Sequence, residues 1–121
     1  MVANSNHFNV QPQILLPSGA KTANFNADKD FSSKTARVIE VWIDVTAVSG
    51  TTPNLDIILE TSILDLPFVQ QDTVTGITAA STNTLVVNRA DDALGTTLRV
   101  RGVITGTTPS FTLSIVAVRM E

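Results

Sequence analysis

Apolar and polar side chains alternate with a period of two residues through positions 38–47. The apolar members are Ile39, Val41, Ile43, Val45 and Ala47. Because successive side chains of a strand point to opposite faces of a sheet, this pattern predicts a strand with one buried face. A second alternating run follows, with Leu55, Ile57 and Leu59 on one face. We predict that the two runs pair as a hairpin across a loop of a few residues.

The C-terminal part of the chain repeats this arrangement. Apolar residues alternate through residues 98–104, and a second core face follows in residues 111–117. The segment between them, Gly106-Thr107-Thr108-Pro109, matches Gly50-Thr51-Thr52-Pro53 residue for residue. The match has two explanations, recurrent turn chemistry and duplication of an ancestral hairpin, and turn chemistry is favoured.

Further strand candidates are shorter. They lie at residues 14–16, 22–26, 73–77 and 84–87. No helical period persists for three turns, and Gly, Pro and Thr interrupt the chain at short intervals. Short strands at this spacing predict an all-β fold, a single β-sandwich of jelly-roll-like or immunoglobulin-like type.

Length and composition set the domain organisation. The 121 residues fit one domain. Residues 1–12 are rich in Asn and Gln and show no periodicity, so we predict an extended N-terminal arm there and the sandwich over residues 13–121. The N-terminus lacks a basic region followed by an apolar one, and no apolar run is long enough to span a membrane. We therefore expect synthesis in a cytoplasm without a signal peptide, and no membrane partner.

Charge and cysteine content exclude several classes of function. The formal net charge of −3 argues against a nucleic-acid-binding module, which needs lysine and arginine to neutralise phosphates. Without cysteine, neither a disulfide scaffold nor a thiolate metal site can form. Only 16% of the residues are charged, fewer than is usual, which suggests a surface partly covered by other protein.

The candidate catalytic groups are weak. His7 is the only histidine, and the predicted arm is a poor place to position a general base. The predicted hairpin would bring four carboxylates onto one face, those of Glu40, Asp44, Asp56 and Glu60. Glycoside hydrolases use such pairs, but cross-strand salt bridges with outward-facing arginines explain these charges more economically. We predict that the protein is not an enzyme.

Residues 24–30 carry oxygen-bearing side chains at every second position, as the opening of a calcium-binding loop does. The rest of that loop is missing. Counted from Asn26, Phe31 stands at the glycine position and Arg37 at the position of the bidentate acid. A solvated strand edge or turn is the favoured interpretation, and we expect no metal and no cofactor.

The alternation also points Trp42 outward. If Ile39 and Val41 face the core, Trp42 and, on the predicted hairpin partner, Ile58 face solvent. An outward Trp among charged residues is typical of an interface anchor. The alternative is that Trp42 is covered by the N-terminal segment or a long loop of its own chain. The predicted interface residues are Trp42, Ile58, Glu40, Asp44, Arg99, Arg101 and, in the arm, His7 and Phe8.

Residues 43–56, 98–101 and 104–112, which include both Gly-Thr-Thr-Pro segments, resemble small β-sandwich structural proteins of tailed bacteriophages. The resemblance covers residues 38–62 and 97–119. It implies a virion component with no catalytic residues, such as a capsid decoration (cement) protein or another head- or tail-associated protein. We favour a decoration protein on the surface of the head. The expected partners are the major capsid protein or another virion protein, together with further copies of the chain, a trimer being favoured.

Two alternatives remain open from the sequence. A tail or head-to-tail joining component would share the fold and form rings. A carbohydrate- or receptor-binding module would stack Trp42 on a sugar. Aromatic residues make up only 5% of the chain and tyrosine is absent, which weakens the second alternative.

Overall fold

The computed structural model describes residues 10–30, 38–62, 66–88 and 97–120, and these form an antiparallel all-β structure without a helix. The strands are β1 (Val10–Lys21), β2 (Phe25–Asp30), β3 (Val38–Ser62), β4 (Val69–Ile77), β5 (Ser81–Asn88) and β6 (Thr97–Met120). The predicted all-β class is confirmed. The short candidates at residues 73–77 and 84–87 lie in β4 and β5.

Two long strands form the centre of the fold. β3 and β6 pair along their whole length, from Val38 opposite Met120 to Ser62 opposite Thr97. The predicted hairpins are therefore wrong. Each Gly-Thr-Thr-Pro segment bends a strand that continues beyond it, and the runs on either side pair with the other long strand. Alternation reports which face of a strand is buried and carries no information about which strand lies beside it.

The bends divide the pairing into two four-stranded parts. In sheet A the order is β1, residues 110–120 of β6, residues 38–49 of β3, and β5. In sheet B the order is β2, residues 97–105 of β6, residues 54–62 of β3, and β4. This order of eight strand segments favours the jelly-roll-like alternative over the immunoglobulin-like one.

Both sheets bury their apolar positions in one cluster. In β3 the buried residues are Ile39, Val41, Ile43 and Val45 in sheet A and Leu55, Ile57 and Leu59 in sheet B. Asp72 of β4 lies opposite buried Leu59, and its Oδ2 accepts a hydrogen bond of 3.0 Å from the backbone N–H of Val86 in β5. This bond joins the edge of sheet B to the edge of sheet A. We infer that the two apolar faces cover one another, as in a sandwich.

The matched bends pack against each other. Gly50 and Gly106 have φ values of 111° and 122°, and Thr52 and Thr108 have φ values of 48° and 46°. A Cβ on Gly50 would lie 2.7 Å from the carbonyl oxygen of Thr108, and one on Gly106 would lie 2.7 Å from that of Thr52. Each glycine thus makes room for the other bend. The same steric requirement explains why both bends have glycine at this position.

Strand β1 begins within the segment that was predicted to be an arm. Val10 and Pro12 pair with Met120 and Val118 of β6, so residues 10–12 belong to β1 rather than to an arm. Residues 1–9, with the predicted interface residues His7 and Phe8, lie outside the described part of the chain.

Candidate interaction surfaces

The outer face of sheet A carries two large exposed apolar side chains. Trp42 is 44% exposed and Ile14 is 70% exposed. The strand register places Val116 between them and Thr84 on the far side of Trp42. Side chains that face each other across antiparallel strands lie about 4.5–5.5 Å apart at Cβ, so these residues form a row across all four strands.

A second row runs beside the first. It consists of Pro12, Val118, Glu40 and Val86. Within it, Glu40 Oε1 accepts a hydrogen bond of 3.3 Å from Trp42 Nε1, which ties the indole ring to the strand that carries it. We call the apolar members of the two rows patch A: Pro12, Ile14, Trp42, Val86, Val116 and Val118.

Two acids flank the indole ring along β3. Glu40 precedes Trp42 by two residues, and Asp44 follows it by two, on the same face. Asp44 Oδ1 accepts a hydrogen bond of 3.3 Å from Thr82 Oγ1 of β5. On the outer face of sheet A, as far as the described strands extend, these two acids are the charged residues and no base accompanies them.

The outer face of sheet B is organised around Glu60, which is buried although it faces outward. Arg99 Nε lies 2.9 Å from Glu60 Oε1, and Arg101 Nη2 lies 3.5 Å from Glu60 Oε2. The guanidinium of Arg99 also lies 3.8 Å above the ring centroid of Phe68, a cation–π contact. The predicted cross-strand salt bridges are confirmed for this carboxylate.

The structure divides the predicted interface residues between the two sheets. Trp42, Glu40 and Asp44 lie on the outer face of sheet A. Ile58, Arg99 and Arg101 lie on sheet B, where Ile58 is opposite Arg101. The predicted hairpin would place them on one sheet, whereas β3 passes from one sheet to the other between residues 49 and 54.

The four carboxylates considered as a possible hydrolase pair are likewise divided between the two sheets. Glu40 and Asp44 belong to sheet A, and Asp56 and Glu60 to sheet B. Asp56 Oδ1 accepts hydrogen bonds of 3.0 Å from the backbone N–H of Gly76 and from Asn54 Nδ2. This carboxylate therefore holds the start of sheet B together.

Replacing Glu60 with alanine is expected to lower the free energy of unfolding by about 2 kcal/mol. Breaking a fully buried ion pair costs about 3–5 kcal/mol, and the partial exposure of both arginines reduces this loss. Asp28→Ala is the matched control, because Asp28 is an exposed acid opposite Arg99. We expect it to change stability by less than about 0.5 kcal/mol in denaturant unfolding. Equal losses in the two variants would contradict the role assigned to Glu60.

The calcium-like segment forms a strand edge, as favoured from the sequence. Residues 25–30 are β2, which pairs with β6, and Asn26 and Asp28 are exposed. Asn24 Oδ1 accepts a hydrogen bond of 2.8 Å from the backbone N–H of Ile104. The described residues contain no group of three or more His, Cys, Asp or Glu side chains placed to hold a metal ion.

The described part of the chain also contains no helix long and apolar enough to cross a membrane.

An open depression of about 330 Å³ lies beside this edge. Its lining residues are Asn24, Phe25, Asn26, Arg101, Gly102 and Val103. The ring of Phe25 occupies the space in which a side chain at Gly102 would lie, so the pairing of these two residues packs the edge of sheet B.

Sequence reasoning missed two features of these surfaces. Ile14 belongs to a run of three apolar residues, and the register shift between Ile14 and Leu16 turns Ile14 outward while Leu16 packs against the core. The stacking of Arg99 on Phe68 joins residues that are distant in the sequence and had no local signal.

Neither a protein-family model nor a curated protein matches the chain. Among solved structures, a chain in the structure of infectious bursal disease virus (Gx strain) is similar in fold, with a TM-score of 0.46 and 13% sequence identity. The alignment covers 97% of this chain and 32% of that one, so the chain spans about a third of the length of this neighbour. At this TM-score the resemblance to the viral chain is weak.

Proposed function

We propose that the chain is a non-enzymatic structural component of a virion. More specifically, we propose a capsid decoration (cement) protein of a tailed bacteriophage, which binds the surface of the head and bridges neighbouring capsid subunits. The observation that carries this proposal is patch A. Sheet A presents Ile14 and Trp42 to solvent on either side of Val116.

Contiguous apolar surface on a soluble domain marks an interaction site more often than chance exposure. Trp is also among the residues that contribute most to protein–protein binding when they are buried in an interface. The strand order adds support by analogy of fold, because viral capsid and lectin domains use the jelly-roll arrangement. The two Gly-Thr-Thr-Pro bends lie in the segments that resemble phage proteins, and at these bends the two long strands pass from sheet A to sheet B.

The described polar groups support a structural role. Glu60 is neutralised by Arg99 and Arg101, Asp56 binds the backbone of Gly76, and Asp72 joins the two sheet edges. These carboxylates hold the fold together.

A decoration protein acts by contact alone. Each copy adds a modest interface, and an oligomer, for which we propose a trimer, repeats the contact so that avidity opposes separation of the capsid subunits.

Carbohydrate binding is the second candidate, and it depends on the same Trp42. Glu40 and Asp44 flank the indole ring along β3, and Thr84 lies beside it on β5. On the β1 side its neighbours are aliphatic Val116 and Ile14, which offer a sugar no hydrogen bonds. A protein partner fits this mixture better than a sugar does.

The test uses the virus that encodes the chain. Quantitative mass spectrometry of purified particles is expected to find the chain in a copy number proportional to the capsid lattice, and particles assembled without it are expected to break at a lower temperature. Light scattering of the purified chain is expected to give the mass of a trimer. Absence of the chain from particles would overturn the proposal, and a single ring of copies would replace it with the tail or head-to-tail joining role.

A further inference from the structure

Resting on the proposed function, we infer that patch A docks on a protein surface that presents an apolar side chain flanked by lysine or arginine. The partner face is not patch A of a second copy. The proposed function alone does not specify this chemistry, which comes from three properties of the patch: its size, its charges and its aliphatic neighbours.

Patch A is too small to form a stable interface by itself, and its size fits the apolar centre of a larger contact. Strands in a sheet lie about 4.8 Å apart, so a row across four strands spans about 15 Å. The two rows are separated by two residues along β3, about 7 Å. A patch of these dimensions is smaller than the roughly 800 Å² that each partner contributes to a stable interface. Trp42 and Ile14 therefore form the apolar centre, and surrounding surface completes the contact.

The charges specify the partner. Glu40 and Asp44 lie on either side of Trp42, and no base accompanies them on the described part of this face. Two copies packed through the same face would bring four carboxylates together without a cation, which is unfavourable. Carboxylates buried at an interface need positive partners to offset the loss of water. A partner with lysine or arginine beside its apolar residue meets this need.

The aliphatic neighbours favour a protein over a sugar. Pro12, Ile14, Val116 and Val118 lie on the β1 side of Trp42 and carry no side-chain hydrogen-bonding groups. Their burial against an apolar side chain of a partner is favourable, whereas the hydroxyl groups of a sugar would lose hydrogen bonds to water there without compensation.

The experiment measures binding of the fluorescently labelled chain to particles that were assembled without it, at increasing salt concentrations. Trp42→Ala is expected to weaken binding at least tenfold, and Ile14→Ser several-fold. The double variant Glu40→Gln with Asp44→Asn is expected to bind more weakly at low salt and to lose most of the salt dependence. Unfolding midpoints close to that of the wild type confirm that the variants are folded.

Matched controls lie on other surfaces. Val69→Ser removes an apolar side chain that is 58% exposed on β4, and Asp28→Asn removes an exposed acid on β2. Both controls are expected to bind as the wild type does.

The outcomes separate the two proposals. If the wild-type chain does not bind particles, the proposed function fails and the inference fails with it. If the wild type binds and the patch variants bind equally well, the inference alone is wrong. If Glu40→Gln with Asp44→Asn binds as tightly as the wild type and keeps its salt dependence, the basic partner is wrong, and competition by a soluble glycan overturns the protein partner.

Discussion

Replacing Gly50 with alanine is expected to lower the free energy of unfolding by about 3 kcal/mol or more. The added Cβ would lie 2.7 Å from the carbonyl oxygen of Thr108, 2.9 Å from Pro109 Cα and 3.0 Å from the carbonyl oxygen of Thr107. All three are backbone atoms, so no side chain can rotate away. The positive φ of 111° adds a conformational cost for any residue with a side chain.

Gly76→Ala is the matched control for this prediction. Gly76 also has a positive φ, 74°, but a Cβ there would meet no atom within 4 Å. Gly76→Ala should lower the free energy of unfolding only by the cost of a side chain at positive φ, about 1–2 kcal/mol. Denaturant unfolding of both variants measures the difference, and Gly106→Ala should match Gly50→Ala because the packing of the bends is reciprocal. If Gly50→Ala costs no more than Gly76→Ala, the two bends do not pack as described.

Phe111→Ala is expected to lower the free energy of unfolding by about 3–5 kcal/mol, through loss of apolar burial and creation of a cavity. Phe111 is fully buried and follows directly after the second bend, where it lies opposite Val48 of β3 and Lys21 of β1. The neighbouring Thr112→Ala, on the outer side of the same strand, is the control and should change stability by less than about 1 kcal/mol. Similar losses at both positions would contradict the assignment of Phe111 to the inward face and Thr112 to the outward face of β6.

The alternation in the sequence was sufficient to predict the faces of both long strands. Ile39, Val41 and Ile43 are buried, and Trp42 between them is exposed. Half-buried strands show this pattern most clearly, because one face meets the core and the other meets water. The outward position of Trp42 follows from the same alternation and does not depend on which strands pair.

Strand partners could not be predicted in the same way. A Gly-Thr-Thr-Pro segment is compatible with a hairpin turn and with a bend in a continuous strand, and both leave the alternation on either side unchanged. The choice depends on pairing between residues far apart in the sequence, such as Val38 with Met120. Because the hairpin was assumed, Ile58 and Arg101 were grouped with Trp42, although they lie on the other sheet.

The central claim is that patch A faces the particle. Electron cryo-microscopy of particles that carry the chain tests it most directly, because the sandwich and its Trp42 side chain can be placed in the density. The account predicts ordered copies on the capsid surface, with Trp42 and Ile14 buried against a partner residue and lysine or arginine beside Glu40 and Asp44. Ordered copies with sheet A facing solvent, or particles without the chain, would contradict it.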